Sequence, residues 1–305
     1  RHEPADLKSL MNYQNDPIVL EKLAKAKQQK KEELAKYIQE TTGIIVKPTA
    51  IFDVQIKRLH AYKRQLITLL HILKLYFEIK ENPQAPIYPR VFIFGAKAAP
   101  SYAYAKSIIK VINEVANLVN HDQTIGDKLK IVFLPNYNVS LAEKIIPAAD
   151  VSEQISLASK EASGTSNMKL MLNGAITIAT LDGANVEIRD AVGDENIYIF
   201  GLTEAEVYAY YENKNYSSRE VYETNPIVHR VLNAFVDGSI PNIEREGQEI
   251  VDSLLLYNDE YFLLRDFDAY CEAQARLNQA YQDAKHWQKC SLINIANAGT
   301  FSADK

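Results

Sequence analysis

The chain is poor in the residues that would narrow its class at once. Its 305 residues include only two cysteines, Cys271 and Cys290. Two thiols cannot staple a small secreted fold, and no Cys/His cluster has zinc spacing. No metal site is therefore expected, and both thiols are expected to be reduced, in a cytoplasmic setting. Apolar runs are short. None approaches the roughly 20 residues that cross a bilayer, and no secretory leader opens the chain, so no membrane partner is expected. A positive net charge is also missing. Lys and Arg number 34 against 39 Asp and Glu, a balance of −5, which argues against a broad nucleic-acid face but leaves room for a local basic cluster that grips a phosphate. No G-x-G-x-x-G and no Walker A loop occurs, which weakens dehydrogenase and NTPase readings. There is no internal repeat, low-complexity stretch or clear linker. The chain opens on Arg1 rather than Met and is expected to be a fragment, with some residues needed for function outside it.

What is present is the composition of a globular chain long enough to bury a core: apolar residues make up 47% and charged residues 24%. Leu20, Leu23, Leu34 and Ile38 recur at helical spacing among many Lys and Glu. The spacing predicts a long, solvated helix over 17–39 that Gly43 ends. Residues 1–50 are read as a helical lead-in to one α/β domain over 51–305. In that domain short apolar strands are expected at 50–56, 91–94, 131–134, 151–155, 176–180 and 197–200. Helices are expected between them at 62–79, 102–119, 140–149, 165–172 and 184–191. Beyond Thr203 nearly everything reads helical, with breaks at Pro226, Pro241 and Asn258. Such alternation implies α/β architecture, a mostly parallel sheet with helices on both faces and ligands at the carboxyl ends of the strands.

Five segments could carry chemistry. In Glu161-Ala-Ser-Gly-Thr-Ser-Asn-Met-Lys169, small hydroxyl residues Ser163, Thr165 and Ser166 surround Gly164 where a loop should become a helix, and Lys169 follows one turn later. Free amides of a first turn suit an anion, and the amine suits a carbonyl; on pattern alone a plain capped helix is the likelier reading. Lys57-Arg-Leu-His-Ala-Tyr-Lys-Arg-Gln65 puts five potentially cationic side chains just past a strand end, an oxyanion site or else a solvated basic face. Gly95-Ala-Lys-Ala-Ala-Pro100 allows close backbone approach to a ligand or a neighbouring strand. In Asn136-Tyr-Asn-Val-Ser-Leu-Ala-Glu-Lys144, Ser140 and Glu143 read as a capping box, leaving Tyr137 for a ligand. Thr180-Leu-Asp-Gly-Ala-Asn-Val-Glu187 reads as a structural turn.

Taken together these segments resemble the glycogen/maltodextrin (α-glucan) phosphorylase family. FDVQIKRLHAYKRQ (52–65), GAKAAP (95–100), NYNVSLAEKIIPAADVSEQIS (136–156), EASGTSNMKLMLNGA (161–175), TLDGANVEI (180–188) and NIANAGTFSADK (294–305) follow it in order and spacing. The resemblance implies the Rossmann-like C-terminal domain of a GT-B type glycosyltransferase fold, with the N-terminal half absent from this chain and the active site in the cleft between the two. It implies phosphorolysis of terminal α-1,4-glucosyl units of glycogen or maltodextrin by inorganic phosphate, giving glucose 1-phosphate. The implied cofactor is pyridoxal 5′-phosphate, held as a Schiff base on Lys169, whose 5′-phosphate does the acid–base work. By motif, Lys57, Thr165 and Ser166 would hold the cofactor phosphate and Tyr137 its surroundings. Arg58 and Lys63 would bind the substrate phosphate, so Lys57, Arg58 and Lys63 carry catalysis. Glu161, Ser163 and Gly164 would bind the reacting glucose. A homodimer is the family habit, and the fragment alone is expected to be inactive. The chain departs from the family at Ser166, where Gly is frequent, at 157–160, Leu-Ala-Ser-Lys in place of Thr-Ala-Gly-Thr, and at Asn138, where Arg is frequent. A nucleotide-sugar glycosyltransferase of the same fold and a binding domain without catalysis remain the alternatives. The lysine-bearing segment 161–169 speaks against the first.

Overall fold

The computed structural model describes residues 3–302. After a 3-10 stretch at Pro4–Tyr13, a long helix α1 (Pro17–Thr42) precedes β1 (Ile51–Ile56), α2 (Gln65–Glu81), β2 (Arg90–Gly95), α3 (Ala103–Asn120), β3 (Leu129–Leu134), α4 (Val139–Ile145) and β4 (Val151–Gln154). Then come α5 (Ser166–Leu172), β5 (Ile176–Ala179), α6 (Asn185–Val192) and β6 (Tyr198–Ile199). Helices α7 (Glu204–Asn213), α8 (Ser218–Thr224), α9 (Pro226–Asn233), α10 (Glu244–Val251), α11 (Leu263–Tyr281) and α12 (Ala284–Asn297) complete the described chain. Pro226 opens α9 and Asn258 takes positive φ between α10 and α11, both breaks that the residues suggest.

The six strands form one sheet in the order β3-β2-β1-β4-β5-β6, every pair parallel. A parallel sheet is covered on both faces, so its strands are buried on both sides; all six residues of β1 and of β2 are buried, Asp53, Gln55 and Arg90 among them. One core lies between the sheet and α2, α3, α9 and α11. The other side is covered by α1 and α4, with Leu34 and Ile38 against Phe52, Val91 and Ile93. The chain runs outward from β1 to β3 on one side, then returns to β4 on the other. The strand order therefore reverses between β1 and β4, where such sheets open a crevice for ligands.

Helix α1 departs from the solvated helix expected. Its outward face is charged, but Lys31 is 1% exposed. Its Nζ meets Asp150 Oδ2 and donates to Ala50 O, both at 2.6 Å, while Asp150 also accepts from Phe52 N at 2.8 Å. Lys27 Nζ donates to Ala149 O and Asn173 O at 2.7 and 2.8 Å. The lysines that read as solvent-facing thus tie the helix to the rims of β1 and β4.

Three local expectations are corrected. The helix expected from Tyr62 is broken: a 3-10 turn spans Ala61–Lys63, Arg64 takes φ 58°, and α2 starts at Gln65. The cause is Arg64 itself, which turns inward to Asp266 (Oδ2, 2.7 Å) and to Ile155 O (2.8 Å). The Ser140/Glu143 capping box does not form. Asn138 caps α4 instead, its side chain accepting from Leu141 N at 3.0 Å, which gives the residue at this departure from the family a local structural job. At α5, Thr165 occupies the cap position but makes no side-chain cap bond, so the plain capped helix is not what forms.

Candidate functional site

A cavity of about 1100 Å³ opens at the reversal point. The loop after β1 contributes Lys57, Arg58, Tyr62 and Lys63; the loop after β4 contributes Glu161 through Ser166; α5 adds Lys169; and the turn into α4 adds Tyr137 and Glu143. All the site residues singled out in the sequence line this one hollow: Lys57, Arg58, Lys63, Tyr137, Glu161, Ser163, Gly164, Thr165, Ser166 and Lys169. The basic cluster divides. Arg64 leaves for the core, and His60 packs against the rings of Tyr62 and Tyr102, at 4.5 and 5.0 Å, beside a separate small hollow. Three of its five cations remain at the cavity.

The lining charges do not cancel. Lys57, Arg58, Lys63 and Lys169 face Glu143 and Glu161, a surplus of two positive charges in a concave, partly dry site, which is the condition for holding an anion. The lysine next to β1, Lys57, is 9% exposed. Burial, reinforced by the charge of Lys63, lowers it to about 8; it is still mainly protonated at neutral pH, and an arriving anion would stabilise that form. Lys63 and Glu161 pair at 2.6 Å. Burial alone would disfavour charge on either, but the hydrogen bond between them prevails, lowering Glu161 and raising Lys63.

The floor depends on close approach. A Cβ at Gly95 would stand 3.0 Å from Ile56 and 3.3 Å from the Tyr137 ring, so the small last residue of β2 acts through Tyr137, letting it lie against the strand end. Tyr137 is half-buried, and burial raises its phenol. Gly164 takes φ 84° at the lip of the loop. The hydroxyl of Ser166 accepts from Gln154 Nε2 at 3.3 Å, which points its added bulk along a hydrogen bond to the end of β4.

The turn over 180–187, read as structural, holds the loop that carries Glu161 and Ser163. Asp182 accepts from Ser159 N at 2.9 Å and Glu161 N at 2.7 Å. Ala184 N donates to Ser163 O at 2.9 Å. Asn185 donates to Gln154 O and Thr180 O and accepts from Asn167, all at 3.1 Å. Ser159 has φ 81°, where a Cβ is unfavourable, so the Gly usual in the family at this place has a backbone reason. The Asp-Gly turn signal marked the segment, but nothing local shows that it faces residues 20 positions upstream.

Fold and cavity together define an open parallel α/β domain with a cation-lined cavity at its topological switch point. The family description "carbohydrate phosphorylase" matches residues 1–305, and the chain belongs to that family. It is 52% identical over 303 residues to a glycogen phosphorylase of Bacillus subtilis, covering 99% of this chain and 38% of that protein. It is 47% identical over 282 residues to one of Synechocystis, covering 92% and 33%. It is 43% identical over 305 residues to the human liver form, covering 99% and 35%. The chain thus spans little more than a third of the length of these relatives. Among the described residues no helix is long and apolar enough to cross a membrane.

Proposed function

We propose that this chain is the cofactor-bearing half of an α-1,4-glucan phosphorylase acting on glycogen or maltodextrin with inorganic phosphate. The reading rests on one observation: four cations, a sugar-competent carboxylate and a hydroxyl-rich loop surround a single cavity at the switch point. The donor set fits pyridoxal 5′-phosphate. Lys169 is exposed on α5 and offers a primary amine, Lys57 and the Thr165 hydroxyl offer partners for a phosphate, and Tyr137 offers a flat wall. When bound, the cofactor supplies a phosphate of near-neutral second pKa for proton exchange with the substrate phosphate.

The chain's own residues then have distinct tasks. Lys57 neutralises one phosphate from its buried position. Arg58 and Lys63 hold the second beside it and offset the repulsion between the two. Glu161, Ser163 and the backbone at Gly164 accept and donate hydrogen bonds to the reacting glucose. Lys63 and Glu161, paired in this structure, must exchange each other for substrate. The residues that close the cleft are proposed to come from the rest of a longer polypeptide, and this chain alone to be inactive, because positioning needs a closed site.

The test is the absorption spectrum of the chain with pyridoxal phosphate, followed by hydride reduction and peptide mapping. A single reduced adduct on Lys169, lost in Lys169→Ala, is expected. Adducts scattered over many lysines, or none, would count against the assignment.

A further inference from the structure

Glu161 lies in a loop that has little regular structure of its own. Residues 155–165 connect β4 to α5, and Ser159 within them sits at φ 81°, a conformation that a residue with a Cβ adopts only when its surroundings impose it. The imposing group is the carboxylate of Asp182, 8% exposed. It receives Ser159 N on one oxygen and Glu161 N on the other, at 2.9 and 2.7 Å. The next residue leaves no slack. A Cβ on Gly183 would stand 2.6 Å from Ser163 O and 3.0 Å from Glu161 O, so the two segments touch backbone to backbone at Glu161 and Ser163.

From this geometry we infer that Asp182 is a positioning residue: it fixes the backbone of Glu161 so that its side chain faces Lys63 and the cavity. The inference rests on the proposed reading of Glu161 as a sugar ligand. Two charge-assisted bonds to alternate amides hold the peptide planes 158–159 and 160–161, the second of which leads directly into Glu161. Asp182 does not itself line the cavity, and its charge acts through space on Lys57, favouring the protonated amine.

The experiment uses the intact phosphorylase polypeptide with its cofactor and compares Asp182→Asn, Glu161→Gln and the double variant. Asp182→Asn keeps one acceptor oxygen and nearly the same volume. Its kcat/KM for glucan is expected to fall about 10- to 100-fold, the scale of a misplacement of about 1 Å. Bound cofactor should stay at the wild-type level, because Lys169 stands on α5. In the Glu161→Gln background the same change should cost little further, because both act through one side chain. Equal losses from Asp182→Asn in both backgrounds, or no loss in either, would overturn the inference alone. Unchanged constants for Glu161→Gln would overturn the reading of Glu161 and this inference with it. Amide exchange at residues 159 and 161 gives an independent readout: it should speed up in Asp182→Asn, and unchanged protection there would also reject the role.

Discussion

Two clusters of charge sit on this sheet, and they are built in opposite ways. In the core against α11, Asp53, Arg90, Glu153, Tyr270 and Gln274 are all buried. Arg90 Nη1 reaches Asp53 at 3.4 Å and also donates to Gln274. Gln274 donates to Asp53 at 3.2 Å and to Glu153 at 2.8 Å, and the Tyr270 hydroxyl donates to Glu153 at 2.9 Å. Burial, with Asp53 close by, pushes Glu153 well above the usual carboxylate range, and burial raises Asp53 as well, so the two carboxylates beside Arg90 favour a single shared negative charge. At the cavity, by contrast, four cations face two carboxylates. The core cluster sets charge against charge within the chain, whereas the cavity leaves charge over for something that is not part of the chain.

The largest effect that would test this contrast is at a second buried ion pair against α11, Arg64 with Asp266. Asp266→Ala leaves Arg64, fully buried and paired at 2.7 Å, without its counter-charge. It is expected to cost about 3–5 kcal/mol in a denaturant titration. Lys57→Met should behave in the opposite sense. Stability should hold or rise, because a poorly solvated cation is removed, while phosphate affinity drops by about 1.5–3 kcal/mol in calorimetry, the worth of a hydrogen bond to a charged group. Should Lys57→Met instead unfold the chain, the two clusters would not differ as argued.

The same lysine predicts a pH signature. Its folded-state value of about 8 lies below the ordinary lysine value of 10.5. The folded state thus binds fewer protons than the unfolded state between those limits, and this group's contribution to stability rises with pH through that window. Phosphate affinity should do the reverse, weakening as pH climbs past about 8. Both trends should vanish in Lys57→Met. Smaller is Ser159→Gly, which relieves the backbone at φ 81° and should raise stability by about 1 kcal/mol in thermal unfolding. Smallest is Glu153→Gln. Because burial favours the neutral carboxyl, the amide should cost less than about 1 kcal/mol at neutral pH; a loss as large as that of Asp266→Ala would mean that Glu153 is ionised.

Much of this was legible in the residues. Apolar runs located the strands because a parallel sheet buries both faces, and Gly43 and Gly174 mark helix ends where left-handed backbone is required. The cationic run after β1 and the hydroxyl-rich loop before α5 pointed to one cavity because both follow strand ends. What could not be read depends on partners far along the chain. Arg64 looks like its neighbours until Asp266, 202 residues away, claims it. Asn138 competes with Ser140 for one cap, and only the backbone angles decide. Asp182 announces a turn but not the amides it will hold.

The attachment of α1 carries a consequence for how the polypeptide can be cut. Between Gly43 and Thr49 the chain runs as an irregular tether with Ile45 64% exposed, open to a protease. The helix itself is clamped by Lys31 and Lys27 and by Leu34 and Ile38 in the core. A nick in the tether would therefore yield two pieces that travel together and part only in denaturant. A separately made peptide of this helix should re-associate with the remainder, restoring a whole particle without a peptide bond between them.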